Sequence, residues 1–265
     1  MDTPAVTSWK SNHDKLHSVP SHRRTAQFCL LANSLPIIWG LIACLHQGER
    51  LDHRSCEALE VVLKSLHFDF INLQAAQLEE NGAASLLDMI SYYESTTHLD
   101  ISDNSSMGTS GWRALAHLIK QSVCLSRLDV CNVPMVDYPA LALSKALLTS
   151  RLTVLHLHNA QLSGMPLYTL VGALKVNRAL RELHLTNNLL NSYQDALQLG
   201  DLLRYNTTLR TLELSRNAVA DAGNMLMILV NNRNMHLFKV AQCKVYLTMW
   251  VWKSPQFCIL NLPYS

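Results

Sequence analysis

The sequence has no G-x-S-x-G elbow, no glycine-rich phosphate loop and no H-E-x-x-H pair. Their absence removes the usual scaffolds of a serine hydrolase, a P-loop nucleotide site and a zinc peptidase. Gly108-Thr-Ser-Gly111 has the loop glycines without the lysine that reaches a phosphate, so it reads as the start of a helix before Trp112. Charge is scarce: 16% of residues are charged, the net charge is +2, and no basic stripe of the kind that holds nucleic acid is visible. The seven cysteines, Cys29, Cys44, Cys56, Cys124, Cys131, Cys243 and Cys258, form no C-x-x-C and no zinc-like spacing with histidine. They read as reduced thiols of an intracellular chain, cytoplasmic or nuclear. No catalytic residue, cofactor or metal is expected.

What the chain does have is a repeat. Leu180-Arg-Glu-Leu-His-Leu-Thr-Asn-Asn-Leu-Leu190 spells L-x-x-L-x-L-x-x-N-x-L, and Leu209 to Val219 spells it again. With the second leucine as a ruler, Ile71, Leu99, Leu128, Leu155, Leu183 and Leu212 follow at steps of 28, 29, 27, 28 and 29. A constant step of this length is a leucine-rich repeat with room for one strand and one helix per unit. The expected fold is an α/β leucine-rich-repeat solenoid, a horseshoe with parallel strands on the concave face and helices on the convex face. Helical spacing places helices near 55–66, after Asn81-Gly82, around Trp112, and near 141–148, 167–176, 196–205 and 222–230. The motif asparagine donates and accepts, so Asn104, Asn188 and Asn217 are assigned to the turn that ends each strand. Ala76, Val133 and Ala160 hold that place in the other units, whose turns must be satisfied otherwise.

Alternation along the strands points the neighbours of the core leucines at the concave face. One row is Asn72, Asp100, Asp129, His156, His184 and Glu213; the next is Gln74, Ser102, Cys131, His158, Thr186 and Ser215. Asp100, Asp129, His156, His158, His184 and Glu213 are the candidate partner-binding residues. Three histidines on adjacent strands suggest a metal or a pH switch, but nothing nearby supplies the outer carboxylates that orient metal ligands, so a polar binding surface is the reading kept.

Three regions follow: an atypical arm over 1–47, the repeats over 48–237, and an apolar non-repeat tail over 238–265 with no polar-faced cap. Within the arm, 28–45 is nearly all apolar behind His22, Arg23 and Arg24. It reads either as a segment covering the first repeat or as a signal-anchor, although Pro36 interrupts it. Only under the anchor reading do the glycosylation sequons at Asn104 and Asn206 matter.

The 28–29-residue units resemble the ribonuclease-inhibitor class of leucine-rich repeats. Gly48–Glu60 (GERLDHRSCEALE), Leu86–Ser102 (LLDMISYYESTTHLDIS) and Val154–Asn191 (ending ALKVNRALRELHLTNNLLN) resemble, in wording, the protein phosphatase 1 regulatory subunit 37 family. That resemblance runs from about Gly48 to Asn232. It implies an intracellular, non-catalytic scaffold or inhibitor whose partner is the phosphatase catalytic subunit. The family carries a docking motif ahead of its repeats, a basic residue, then Val or Ile, then Phe or Trp. The nearest stretch here is Arg24-Thr-Ala-Gln-Phe28, where Ala26 replaces the branched residue. The family also continues with more repeats after Asn232, so the chain reads as shortened at both ends. Two other readings stay open: a GTPase-activating repeat scaffold, for which no concave-edge arginine stands out, and a membrane-anchored repeat protein.

Overall fold

Two leucines one residue apart lie on the same side of an extended chain, and a solenoid stacks such pairs into one core. The computed structural model describes residues 25–28, 43–46, 60, 63–217 and 237–239. Its main sheet is parallel and runs in chain order: β3 (Phe68–Asn72), β4 (Thr96–Asp100), β5 (Arg127–Asp129), β6 (Val154–His156), β7 (Glu182–His184), β8 (Thr211–Glu213) and β9 (Leu237–Lys239). The register pairs Ile71 with Leu99, Leu99 with Leu128, Leu128 with Leu155, Leu155 with Leu183 and Leu183 with Leu212. All six ruler residues are fully buried. The sheet then takes one strand more, with Phe238 opposite Leu212, where repeat arithmetic alone points near residue 240. The rest of the apolar tail and the 222–230 helix lie outside the described residues.

Among the described residues, five helices return the chain between consecutive strands: α1 (Glu80–Tyr93), α2 (Gly108–Gln121), α3 (Tyr138–Leu147), α4 (Gly164–Val176) and α5 (Tyr193–Tyr205). Each packs on the next, and helices spaced about 8–10 Å against strands spaced about 4.8 Å put the sheet on the inner curve. The last three begin three residues before the apolar periodicity does. Their first turns carry exposed Tyr138, Met165 and Tyr193, which give no buried-face signal. Residues 63–65 are helical, within the span read as a helix before the first strand.

The helix starts are tied to neighbouring repeats. Glu80 of α1 accepts from Thr109 Oγ1 (3.0 Å) and Ser110 N (2.9 Å) at the start of α2. Gly108 has φ +61°, and a Cβ there would stand 2.7 Å from the Glu80 side chain, so the residue cannot grow without displacing that cap. Asp195 completes a capping box with Ser192 and also accepts from Gly164 N (2.8 Å), at the start of α4.

The motif asparagines reach across two repeats each. Asn104 donates to Leu73 O (2.8 Å), Ile101 O and Ser102 O (both 3.0 Å) and accepts from Leu78 N (3.0 Å). Asn188 donates to Leu157 O (2.8 Å), Leu185 O (3.0 Å) and Thr186 O (3.4 Å) and accepts from Ala160 N (2.9 Å) and Leu162 N (3.0 Å). Asn217 donates to Leu185 O and accepts from Asn188 N, both 2.8 Å. Each amide therefore serves the turn of the repeat before it. This explains how Ala76 and Ala160 are tolerated: the next repeat supplies the amide. Val133 has no asparagine after it, and there Met135 N donates to Ala160 O instead (2.8 Å).

Both glycosylation sequons are spent structurally. Asn104 and Asn206 are 2% and 3% exposed. The Asn206 amide donates to Leu174 O (2.7 Å) and accepts from Leu209 N (2.7 Å). Neither amide can carry a sugar in this fold.

Ahead of the repeats, β1 (Thr25–Phe28) and β2 (Ala43–His46) pair antiparallel, with Phe28 opposite Ala43, and β1 lies beside β3. Residues 29–42, nearly all of the segment read either as a cover for the first repeat or as a signal-anchor, lie outside the described residues. No helix among the described residues is long and apolar enough to cross a membrane.

Candidate functional site: a polar belt on the concave face

The register sets Asn72, Asp100, Asp129, His156, His184 and Glu213 side by side along one line of the sheet. A second concave line precedes the ruler residues: Phe70, His98, Arg127, Val154, Glu182 and Thr211. The same period-two alternation exposes this line, so its signal was present in the sequence at the position before each ruler leucine.

Asp129 is the hub. His98 Nε2 donates to its Oδ2 (2.7 Å), His156 Nδ1 to its Oδ1 (3.0 Å), and Arg127 binds both oxygens from Nε (3.1 and 3.2 Å), with Nη2 3.0 Å from Oδ2. Arg127 Nη2 also lies 3.4 Å from His156 Nδ1, which is a contact rather than a bond while that nitrogen donates to Asp129. Burial alone would raise the Asp129 carboxyl, but the hydrogen bonds from His156, His98 and Arg127 outweigh it and hold the group far below the usual carboxylate range. Burial raises Asp100 above that range, with the Asp129 charge adding to it.

The belt continues through the histidines. His156 and His184 rings are 4.2 Å apart, His156 and His158 5.3 Å, His158 and His184 5.8 Å. His184 Nδ1 donates to Glu213 Oε2 (2.9 Å), while its Nε2 is buried without a hydrogen bond, 3.8 Å from Glu182 Oε2. At the other end His98 stacks on Phe70 with ring centroids 4.1 Å apart. Burial lowers His158 and His184 below the ordinary histidine range, each helped by neighbouring His156. Burial likewise raises the Cys131 thiol, which suits a packed free cysteine rather than a nucleophile. Among the described residues no group of His, Cys, Asp and Glu is set to hold a metal ion.

These shifts give a pH dependence. A histidine whose folded pKa is lowered is neutral in the fold and takes up a proton on unfolding, so its stability contribution is lost as pH falls below the unfolded value near 6.5. Thermal unfolding is expected to move to lower temperature from pH 7 to pH 5, and His158→Gln is expected to flatten that slope. An unchanged slope in the variant would show that His158 is not neutral and buried as drawn.

The rim carries a feature the repeat pattern does not announce. Asp103, Asn132, Asn159 and Asn187 all have positive φ, and their side chains form a ladder. Asn132 donates to Asp103 (2.8 Å), Asn159 to Asn132 (3.0 Å) and Asn187 to Asn159 (3.2 Å). Asn and Asp are the side-chain-bearing residues most often found in this left-handed corner, and Ala75 and Arg216 hold it in the first and sixth repeats.

Against known proteins, no family model matches the chain. Over 184 residues it is 50% identical to protein phosphatase 1 regulatory subunit 37 of Bos taurus, covering 69% of this chain and 26% of the relative. The Homo sapiens protein is 51% identical over 178 residues, 67% of this chain and 26% of the relative. The homolog of Caenorhabditis elegans is 36% identical over 180 residues, 67% of this chain and 19% of the relative. The chain thus spans about a quarter of the length of the mammalian relatives it matches. Among solved structures, the leiomodin-1 actin-binding site 2 shares 15% identity at a TM-score of 0.38, covering 68% of this chain and 87% of that one. Over the segment shared with those relatives, the chain is homologous to protein phosphatase 1 regulatory subunit 37.

Proposed function

We infer that this chain is a non-catalytic, protein-binding module that regulates protein phosphatase 1 by inhibiting its catalytic subunit, and that the concave belt is the surface that engages a protein partner. The observation that carries the surface is the belt itself. Asp100, Asp129, His156, His158, His184 and Glu213 share one continuous face, and their mutual hydrogen bonds hold most of them in place before any partner arrives. Side chains already fixed lose little entropy on binding. The relatives' names support the phosphatase as partner.

The test is a binding titration of the full chain with phosphatase catalytic subunit, together with an activity assay. The paired change His158→Ala with Glu213→Ala is expected to weaken binding about tenfold, or about 1.4 kcal/mol. Ala26→Val is expected to strengthen it, because a buried valine in place of alanine adds about 1–2 kcal/mol of apolar burial. Tight binding that neither change alters would remove the concave face and the docking stretch from the interface together.

A further inference from the structure

Cations that are scattered in the chain collect on one edge of the solenoid, because each lies in the last turn of a helix or in the loop between a helix and the next strand. Three sit in the last helical turns: Lys120 of α2, Lys145 of α3 and Arg204 of α5. Three more follow in the loops that lead into β6, β7 and β8: Arg151, Arg178 and Arg210. All six are exposed. Among the described residues none of them forms an ion pair. Two carboxylates near the helix C-termini are already engaged. Glu94 accepts from Val123 N (3.0 Å) and from Cys124, and Asp201 pairs with Lys175 (2.8 Å). Cations in a last helical turn offset the negative end of the helix dipole. Arg151, Arg178 and Arg210 lie beyond the helices and are surplus to that need.

An apolar row runs through the same edge. Leu148, Val176 and Tyr205 each stand seven residues before a ruler leucine, and each is about half exposed. Leu148 and Val176 offer nothing to a base or a phosphate, whereas both lose water against an apolar side chain. Arg204 lies 5.5 Å over the Tyr205 ring, so the two surfaces interleave.

We propose that the edge formed by the helix C-termini of α3 to α5 and the loops into β6 to β8 is a docking surface for an acidic protein segment that interleaves carboxylates with apolar side chains. Complementary charge sets the choice of partner and speeds its arrival, and the apolar row holds it once seated. This surface is separate from the concave belt, so its test does not depend on whether the belt binds the phosphatase.

The experiment uses the full chain and a fluorescent synthetic peptide in which Glu and Asp alternate with Leu and Trp. The comparison probes are the same peptide with Gln and Asn for its acids, phosphatidylserine vesicles, and single-stranded DNA. The acidic peptide is expected to bind in a salt-dependent way, and the neutral peptide at least about tenfold more weakly. Arg151→Glu and Arg178→Glu, checked by thermal melting, are each expected to weaken binding several-fold. Arg113→Glu makes the same charge change in the middle of α2 and is expected to leave binding unaltered. Val176→Ser with Tyr205→Ser is expected to weaken binding without changing its salt dependence. Failure of the acidic peptide to bind, tighter binding of DNA or vesicles, or an equal loss from Arg113→Glu would each overturn the proposal.

Discussion

Asn188→Ala is expected to lower unfolding stability by about 4 kcal/mol, measured by urea denaturation of the full chain. One amide makes five hydrogen bonds there, to the backbone of two repeats. The alanine variant leaves the Ala160 and Leu162 amides and the Leu157 carbonyl without the partner that Asn188 supplied, at about 1–3 kcal/mol for each group that water cannot reach, while Leu185 O keeps its bond from Asn217. Part of that cost is recovered where water enters the corner. Asn159→Ala is the comparison: its side chain lies on the exposed ladder, bridging Asn132 and Asn187, and an exposed hydrogen bond contributes about 1 kcal/mol or less. Equal losses from the two variants would show that burial of the Asn188 amide is not what makes the turn. Repeats one and four hold alanine at the motif position and depend on the asparagine of the following repeat. The damage from Asn188→Ala should therefore appear in hydrogen exchange at Ala160 and Leu162 as well as in its own repeat.

Asp129→Ala is expected to cost about 2–3 kcal/mol at pH 7, because it removes the single carboxylate that receives His98, His156 and Arg127. The three donors are partly exposed, so water takes up some of the loss and the figure stays at the low end for a buried pair. The sign with pH follows from the depressed pKa of Asp129. Its contribution is complete above the unfolded carboxylate value near 3.9 and is lost as pH falls below it toward the folded value. The gap between the chain and its Asp129→Ala variant should thus persist from pH 7 to pH 5 and close in more acid solution. Asp129→Asn is the more delicate variant. It keeps the shape but gives the site two donors where it had acceptors only, so it should bind His98 and His156 poorly and recover only part of the loss. A variant as stable as the parent at pH 7 would mean that the hub is ornamental to the fold.

The candidate site divides in an instructive way. Asp100, Asp129, His156, His158, His184 and Glu213 were legible because a strand has only two faces, and the buried leucines occupy one of them. His98 and Arg127 sit on the same face, one position before the ruler, yet their importance lies in which neighbour they touch. His98 reaches Asp129 from the adjacent strand, 31 residues away in the chain. Nothing in the spacing distinguishes that carboxylate from Asp100, which burial pushes the opposite way.

By itself the sequence determined the unit: its length of 27 to 29 residues, the ruler leucines, the turn asparagines and the two concave rows. Each of these follows from local geometry, because strand alternation and helix periodicity act over a few residues and a solenoid repeats them. Only the tertiary structure decided what crosses between units. It assigned each motif asparagine to two turns and paired Thr25–Phe28 with Ala43–His46. It brought Phe238 into register two residues before the position that the repeat step indicates. It also set lysines and arginines from four repeats along a single edge. Those outcomes depend on which side chains become neighbours when one repeat stacks on the next. Stacking distances and loop lengths settle that choice, and neither can be read from the order of residues inside one repeat.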